Sequence, residues 1–431
     1  MNSIFLALEQ LHTQLSQALP ATPGLCHFDV SFPLNDAFDP LAWLGEQQCY
    51  PQFYWQQRNG DEELAALGAV TQFSSLALAS QFLRAEHAPK ETRICGLNAF
   101  SPEQGSLFLP RLLWRRTAGN ATLRLQLWSD SSLQDDARTA LELLQQLRPA
   151  RAIRPLSVQV ERETHLPQKP EWLPLIGKAT ETIARGDFEK VVLARATDLQ
   201  CKQRVNPVAL MAASRALNLN CYHFCMVFDA RNAFLGSTPE RLWRRRGKLL
   251  RTEALAGTVA SHTDDKQAQR LGEWLLNDDK NQRENMLVVE DICQRLQHHT
   301  QTLEVLPAQV VRLRKVQHLR RCIWTELKQA DDELCLHVLQ PTAAVAGLPR
   351  QPARAFIHNV EPFNREWYAG SAGYLSPDQS EFCVALRSAR VQDDALRLYA
   401  GAGIVSGSDP EQEWQEIENK AAGLRSLLLR D

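Results

Sequence analysis

The chain has 431 residues, 44% of them hydrophobic and 23% charged, and a formal net charge of −2. That is ordinary globular usage, long enough for a large core, and it lacks the basic excess by which a protein holds nucleic acid or an anionic membrane surface. No apolar run reaches membrane-spanning length, so no helical span is expected.

Residues 1–150 alternate helical patterns with short strands such as Ala121–Trp128, whose apolar and polar residues alternate with period two. They read as an N-terminal α/β part of uncertain role, packed on the core formed by the rest of the chain. Residues 151–170, with Pro155, Pro167 and Pro170, read as a connector. Beyond it the pattern gives a helix at 171–185, a strand at 189–199, a helix at 207–217, a strand at 221–229, a hairpin at 233–254 and a helix at 280–298. Further strands lie at 371–376, 380–390 and 394–405. Antiparallel strand signals mixed with helices point to an α+β fold rather than a parallel doubly wound sheet.

Ten cysteines, among them Cys26, Cys49, Cys95 and Cys201, lack paired Cys-x-x-Cys spacing, and Met1–Glu9 lacks the basic start and long apolar core of a leader. Reduced thiols and a cytoplasmic location are expected. Cys221, His223 and Cys225 lie in a run that reads as a buried strand rather than a metal site. The basic stretch from Arg241 to Arg251 reads as the solvated tip of the hairpin.

The chemistry concentrates in four places. Near the C-terminus a glycine-spaced strand, Ala400–Val405, runs through Ser408-Asp409-Pro410 into a helix bearing Glu413, Glu416 and Lys420 at i, i+3 and i+7, hence on one face. Such a face suits a hard cation, and the plain alternative is a solvated helix with internal ion pairs. Glu284 opens a second helix, whose apolar positions Met286, Val289, Ile292 and Leu296 keep helical spacing. Two glutamates from distant helices, with room for waters, suit Mg²⁺. Lys190 enters an apolar strand, where burial would lower its pKa and make it a usable base; the alternative is a strand-edge lysine. Glu240 sits on a turn after a buried strand, where a carboxyl can be kept protonated, or it simply pairs with Arg241.

Taken in order, Gly186–Arg195, Ser237–Leu242, Leu255–Thr258, Lys280–Val289, Val316–Leu319, Tyr368–Gly370, Ala385–Arg390 and Gly401–Lys420 resemble the chorismate-utilising enzymes. That family includes anthranilate synthase component I, aminodeoxychorismate synthase component I, salicylate synthase and isochorismate synthase. The resemblance covers roughly residues 170–428 and makes 171–431 the chorismate-binding catalytic domain. It implies two packed antiparallel β-sheets with surrounding helices and one Mg²⁺ held by Glu284 and Glu416 directly and by Glu413 through water. Tyr368 and Arg387 match residues that grip the enolpyruvyl carboxylate, and His318 matches a histidine near it. Gly257, Thr258, Gly401 and Lys420 match positions around the carboxylates and ring.

The resemblance also bears on the nucleophile. Members that use ammonia carry glutamine where this chain has Lys190, and aminodeoxychorismate synthases place a lysine in a Pro-Ile-Lys-Gly-Thr motif where this chain has Ala256 before Gly257 and Thr258. Water is therefore the expected nucleophile. Lys190 would activate it for attack at ring C2, and Glu240 would protonate the hydroxyl leaving C4, giving isochorismate, most closely in the manner of menaquinone biosynthesis. No glutaminase subunit, nucleic acid or membrane partner is expected. Siderophore-pathway isochorismate formation, salicylate synthesis and a catalytically silent chorismate-binding homologue are the alternatives. Gln340-Pro341-Thr342 and Ala254 depart from the family pattern, at positions expected to shape loops.

Overall fold

A computed structural model describes residues 3–17, 19–34, 38–117 and 119–428. In chain order the described elements are α1 (Ser3–Leu15), β1 (Gly24–Pro33), α2 (Pro40–Glu46), β2 (Gln52–Gln56), β3 (Glu62–Phe73), α3 (Leu76–Ala85), β4 (Ile94–Asn98), β5 (Gly105–Thr117), β6 (Asn120–Ser129) and α4 (Leu133–Gln146). Next come β7 (Val160–Leu166), α5 (Lys169–Ala184), β8 (Lys190–Cys201), α6 (Pro207–Leu217), β9 (Tyr222–Val227), β10 (Asn232–Thr238), β11 (Arg241–Arg246), β12 (Leu249–Ala260), α7 (Asp265–Asn277) and α8 (Asp279–Leu296). The chain ends with β13 (Thr300–Val305), β14 (Gln309–Arg312), β15 (Val316–Leu327), α9 (Asp332–Leu339), β16 (Gly347–Leu348), α10 (Arg350–Val360), β17 (Ser371–Leu375), β18 (Gln379–Val384), β19 (Ser388–Gln392), β20 (Ala395–Ile404) and α11 (Pro410–Leu428). The fold is α+β, and every ladder is antiparallel.

One sheet runs β1-β6-β5-β3-β2-β9-β10-β19-β20-β8-β7. The other runs β5-β4-β17-β18-β11-β12-β15, with β13 and β14 on the far edge of β15. They share β5, whose start pairs with β4 and whose end pairs with β6, while β3 lies along its other edge and carries a register shift between Ala69 and Thr71. A bulge there bends the strands from one sheet into the next. The sheets meet face to face: Trp55 of β2 stands edge-on to Tyr374 of β17 at 5.6 Å, and Tyr222 of β9 donates to Glu381 of β18 at 2.7 Å.

Alternation along β8 and β20 assigns their faces. Val191, Leu193, Ala400, Ala402 and Ile404 share an apolar cluster with Trp172 of α5, Ile357 of α10 and Ile417 of α11. The intervening residues therefore face the other sheet. Caps fix where the helices begin: Asp278 accepts from Asn281 N at α8, and Asp409 accepts from Gln412 N at α11, where Pro410 fills the first position. Asn285 docks α8 on β12 and β15 by donating to the carbonyls of Ala254, Ala256 and Leu319.

Two expected elements, a hairpin and a strand, are divided. Residues 233–254 are not one hairpin, because β10 pairs in the first sheet and β11 in the second, so the chain changes sheet at Pro239-Glu240. The span 380–390 likewise breaks into β18 and β19, which lie in different sheets, and Arg387 at the break has φ +47. Period-two alternation carries no mark of such a change of partner. The Arg241–Arg251 stretch is a solvated tip only in part. Arg245 is 2% exposed and makes a two-pronged ion pair with Asp332 of α9, because side chains on that face of β11 point into the protein. Within 151–170 the structure has β7 and the start of α5.

Removing one partner of a buried ion pair leaves an uncompensated charge. Arg245→Ala is expected to cost about 3 kcal/mol of stability, read as a lower urea midpoint with an unchanged slope; an unchanged midpoint would mean that Asp332 is satisfied without it.

Candidate functional site

Both places where the chain changes sheet open onto one cavity, which β8, β12, α8, β20 and α11 complete. Nine of the twelve residues singled out from sequence line it: Glu240, Gly257, Thr258, Glu284, His318, Tyr368, Arg387, Gly401 and Lys420. Lys190, Glu413 and Glu416 join through direct or electrostatic contact with these. Lys190 is fully buried, and its Nζ lies 3.1 Å from Oε1 of Glu284.

Glu240 is 2% exposed. Burial, and then the charge of Glu253, push its pKa up to about 8, against the opposing pull of Lys190, Lys420 and Arg387. At neutral pH it is thus mainly a protonated acid with three basic side chains around it.

Arg387, His318, Thr258 and Gly257 form a chain of polar contacts. A guanidinium only donates, so Nε2 of His318 accepts from Arg387, and the imidazole proton sits on Nδ1 facing Thr258 Oγ1 at 3.1 Å and the Gly257 carbonyl at 3.4 Å. Burial, with Arg387 and Lys420 nearby, holds the His318 pKa well below its usual value, which keeps the ring neutral. Gly257 lies in the β12 bulge at φ +88, where Asn281 receives the Thr258 N–H at 3.0 Å. A glycine meets that φ without strain.

Across the cavity Tyr368 stacks on Tyr399, centroids 4.9 Å apart and planes 7° from parallel, and burial raises its pKa. A Cβ on Gly401 would sit 2.8 Å from the Tyr368 hydroxyl. Lys420 Nζ donates to the Gly401 carbonyl at 2.9 Å and pairs with Glu416 at 2.6 Å. Glu413, 3% exposed, faces Lys280 at 3.5 Å. Burial, then Glu416 and Glu284, push its pKa up to about 7. Three carboxylates from two helices are therefore within electrostatic reach of each other. Among the described residues, no group of three or more His, Cys, Asp or Glu side chains is close enough to hold a metal unaided. Hard oxygen donors that need waters to complete the shell suit Mg²⁺.

The arrangement offers a buried acid lining the cavity and a buried amine beside it, a cationic and hydroxyl lining for carboxylates, and a carboxylate cluster for a hard cation. Sequence reading missed several of its parts. Gly403 lines the cavity, and a Cβ there would sit 2.5 Å from Oε1 of Glu284 and 3.1 Å from Cε of Lys190; its spacing of two from Gly401 was the available signal. Arg365 was also missed. It donates to the carbonyls of Val192 and Val345, which line the cavity, and pairs with Glu361, which accepts the Ala194 N–H. Nothing local marks an arginine that works through backbone carbonyls.

Residues 88–429 match the family described as chorismate binding enzyme. Isochorismate synthase MenF of Escherichia coli K12 is 67% identical over 428 residues, 99% of each chain. The solved structure of the menaquinone-specific isochorismate synthase MenF from Escherichia coli has a TM-score of 0.97 and covers 99% of this chain and 100% of that one, at 67% identity. Anthranilate synthase component I from Streptococcus pneumoniae TIGR4, at 18% identity and a TM-score of 0.60 over 95% of this chain and 93% of that one, shares the fold.

The state of Glu240 has a measurable effect on stability. Its folded pKa, about 8, lies above its ordinary 4.5. Below the ordinary value both states are protonated and its contribution is fully present. Between the two values the unfolded chain ionises first, so that contribution is lost as pH rises through the folded pKa. Relative to the wild type, Glu240→Gln should therefore gain thermal stability steadily from about pH 5 to about pH 8. A difference independent of pH, measured by calorimetry, would mean that Glu240 is ionised in the folded protein.

Proposed function

Since this chain belongs to the chorismate binding enzyme family, we propose that it is an isomerase converting chorismate to isochorismate, in the service of menaquinone biosynthesis. The observation that carries the reading is the pairing of a buried, protonated Glu240 with a fully buried Lys190 beside one cavity, with Arg387 and Lys420 in its lining set for carboxylates. The 67% identity to the Escherichia coli enzyme over nearly the whole chain supports the same substrate and the same pathway.

Lys190, as the neutral amine, takes a proton from the water that forms the new C–O bond at C2 and becomes the ammonium beside Glu284. The ring double bond shifts, and the C4–O bond breaks as Glu240 delivers its proton to the departing hydroxyl, which leaves as water. One water enters and one leaves, so the reaction is an isomerisation and runs in both directions. Arg387 and Tyr368 hold the enolpyruvyl carboxylate, with His318 beside it; Gly257, Thr258, Gly401 and Lys420 line the carboxylates and ring. Glu284 and Glu416, with Glu413 through water, would hold Mg²⁺, which supplies positive charge for the ring carboxylate. Because water is the nucleophile, no ammonia-supplying subunit is needed. The ten free cysteines favour a cytoplasmic location, and among the described residues no helix is long and apolar enough to cross a membrane.

With chorismate and Mg²⁺ and without ammonia, the protein should interconvert chorismate and isochorismate. Salicylate with pyruvate, or anthranilate once ammonia is added, as the main product by chromatography would overturn the reading. Lys190→Ala and Glu240→Gln should each lower the rate about 100-fold or more in both directions while leaving substrate binding intact.

The metal sites are tested separately. Glu284→Gln and Glu416→Gln should weaken Mg²⁺ binding by titration calorimetry and nearly abolish turnover, with Glu413→Gln milder because a carboxylate acting through water only orients the shell. Unaltered Mg²⁺ affinity in the first two would place the ligands elsewhere.

A further inference from the structure

The acid side of the site is supported from the N-terminal part of the chain. Arg58, between β2 and β3, reaches the segment where the chain changes sheet at Glu240. Its Nη1 donates to the Pro239 carbonyl at 2.6 Å, and its two Nη groups grip both oxygens of Glu253, at 2.5 and 2.8 Å. Glu253, on β12, is fully buried at its side chain and accepts the Arg241 N–H at 2.9 Å. The Glu240 carbonyl itself accepts from Val384 N at 3.0 Å. The peptide groups before and after Glu240 are thus held by one ion pair whose members come from different sheets, Arg58 from the turn after β2 and Glu253 from β12.

We infer that the Arg58–Glu253 pair is the positioning element for Glu240: it fixes the backbone on both sides of the acid and places a buried negative charge within electrostatic reach of its carboxyl. Two features support a role beyond packing. A planar guanidinium with several donors can serve a carboxylate and a carbonyl together, which an ammonium cannot do with the same geometry. Burial opposes ionisation of Glu253, but Arg58 and Arg241 hold its pKa below the ordinary value, so it is a standing anion. The titratable and charged groups facing Glu240 are then Glu253 from β12, Lys190 from β8, Lys420 from α11 and Arg387 from the other sheet-changing segment. Burial does most to keep the proton on Glu240, and Glu253 is the anion that adds to it against the opposing pull of the basic groups. The pair touches no substrate; it acts through Glu240.

The inference rests on Glu240 being the acid of chorismate isomerisation, and the experiment separates the two. Wild-type turnover and its loss in Glu240→Gln test that reading first. Glu253→Gln keeps the shape and one oxygen acceptor but removes the charge. It should move the alkaline limb of the pH–kcat profile about one unit lower, and move the pH-dependent stability difference attributed to Glu240 by the same amount. Arg58→Lys keeps the charge but gives up one of the two grips; it should lower kcat about 10-fold while the chorismate KM changes less than threefold. Should Glu253→Gln fail to fold, the double variant Arg58→Met/Glu253→Gln, which leaves no buried charge unpaired, carries the same pH measurement. An alkaline limb and stability profile at the wild-type position, or activity lost only in step with the folded fraction, would show the pair to be structural.

Discussion

A strand that passes from one sheet to another must leave a ladder, and at the break its buried peptide groups still require partners. This protein has two such breaks side by side, at Thr238–Arg241 and Val384–Ser388, and they satisfy each other: Val384 N donates to the Glu240 carbonyl, and Ser237 N to the carbonyl of Arg387. The acid and the principal cation of the site sit on these two breaks. The left-handed backbone of Arg387 is unfavourable for a side-chain-bearing residue and is held by its surroundings. The rest of the site is arranged around this pair of crossings.

Burial of charge is the second theme. Between the sheets lie Arg58, Glu253, Arg241, Glu381, Arg93 and Glu62, each largely buried and each paired. Burying a charge is costly unless it is paired and hydrogen-bonded, so such residues hold their partners to specific geometries. The effect is a buried frame of fixed charge that reaches Glu240 through Glu253.

Much of this was legible in the residue pattern. The helix at 280–298 and the strand at 394–405 stand out by periodicity, and the order of motifs from Gly186 to Lys420 carries the family with it and singles out residues most of which line one cavity. What stayed hidden depends on partners distant in sequence. No spacing around Asn232–Thr238 tells that the next strand belongs to another sheet, and Arg58 looks like one more surface arginine until β2 is placed beside β9. Arg245, embedded in a run of three arginines, suggests a solvated tip because sequence shows charge but not which face of a strand is covered.

The sharing of β5 between the sheets limits how a ligand can come and go. In a clam-like enzyme two halves rotate about a linker. Here such a rotation would tear a continuous ladder in which Gly105–Phe108 bind one sheet and Leu112–Thr117 the other. The parts of the cavity wall outside the ladders are the second turn of α8 at Glu284, the stretch of α11 at Lys420 and the turn at 343–346. The helices that bear the carboxylate cluster lie outside those ladders but are themselves tied down, α8 by Asn285 on β12 and β15 and α11 by Ile417 in the apolar cluster over β8 and β20, so the chamber has a floor that cannot hinge and walls anchored to it.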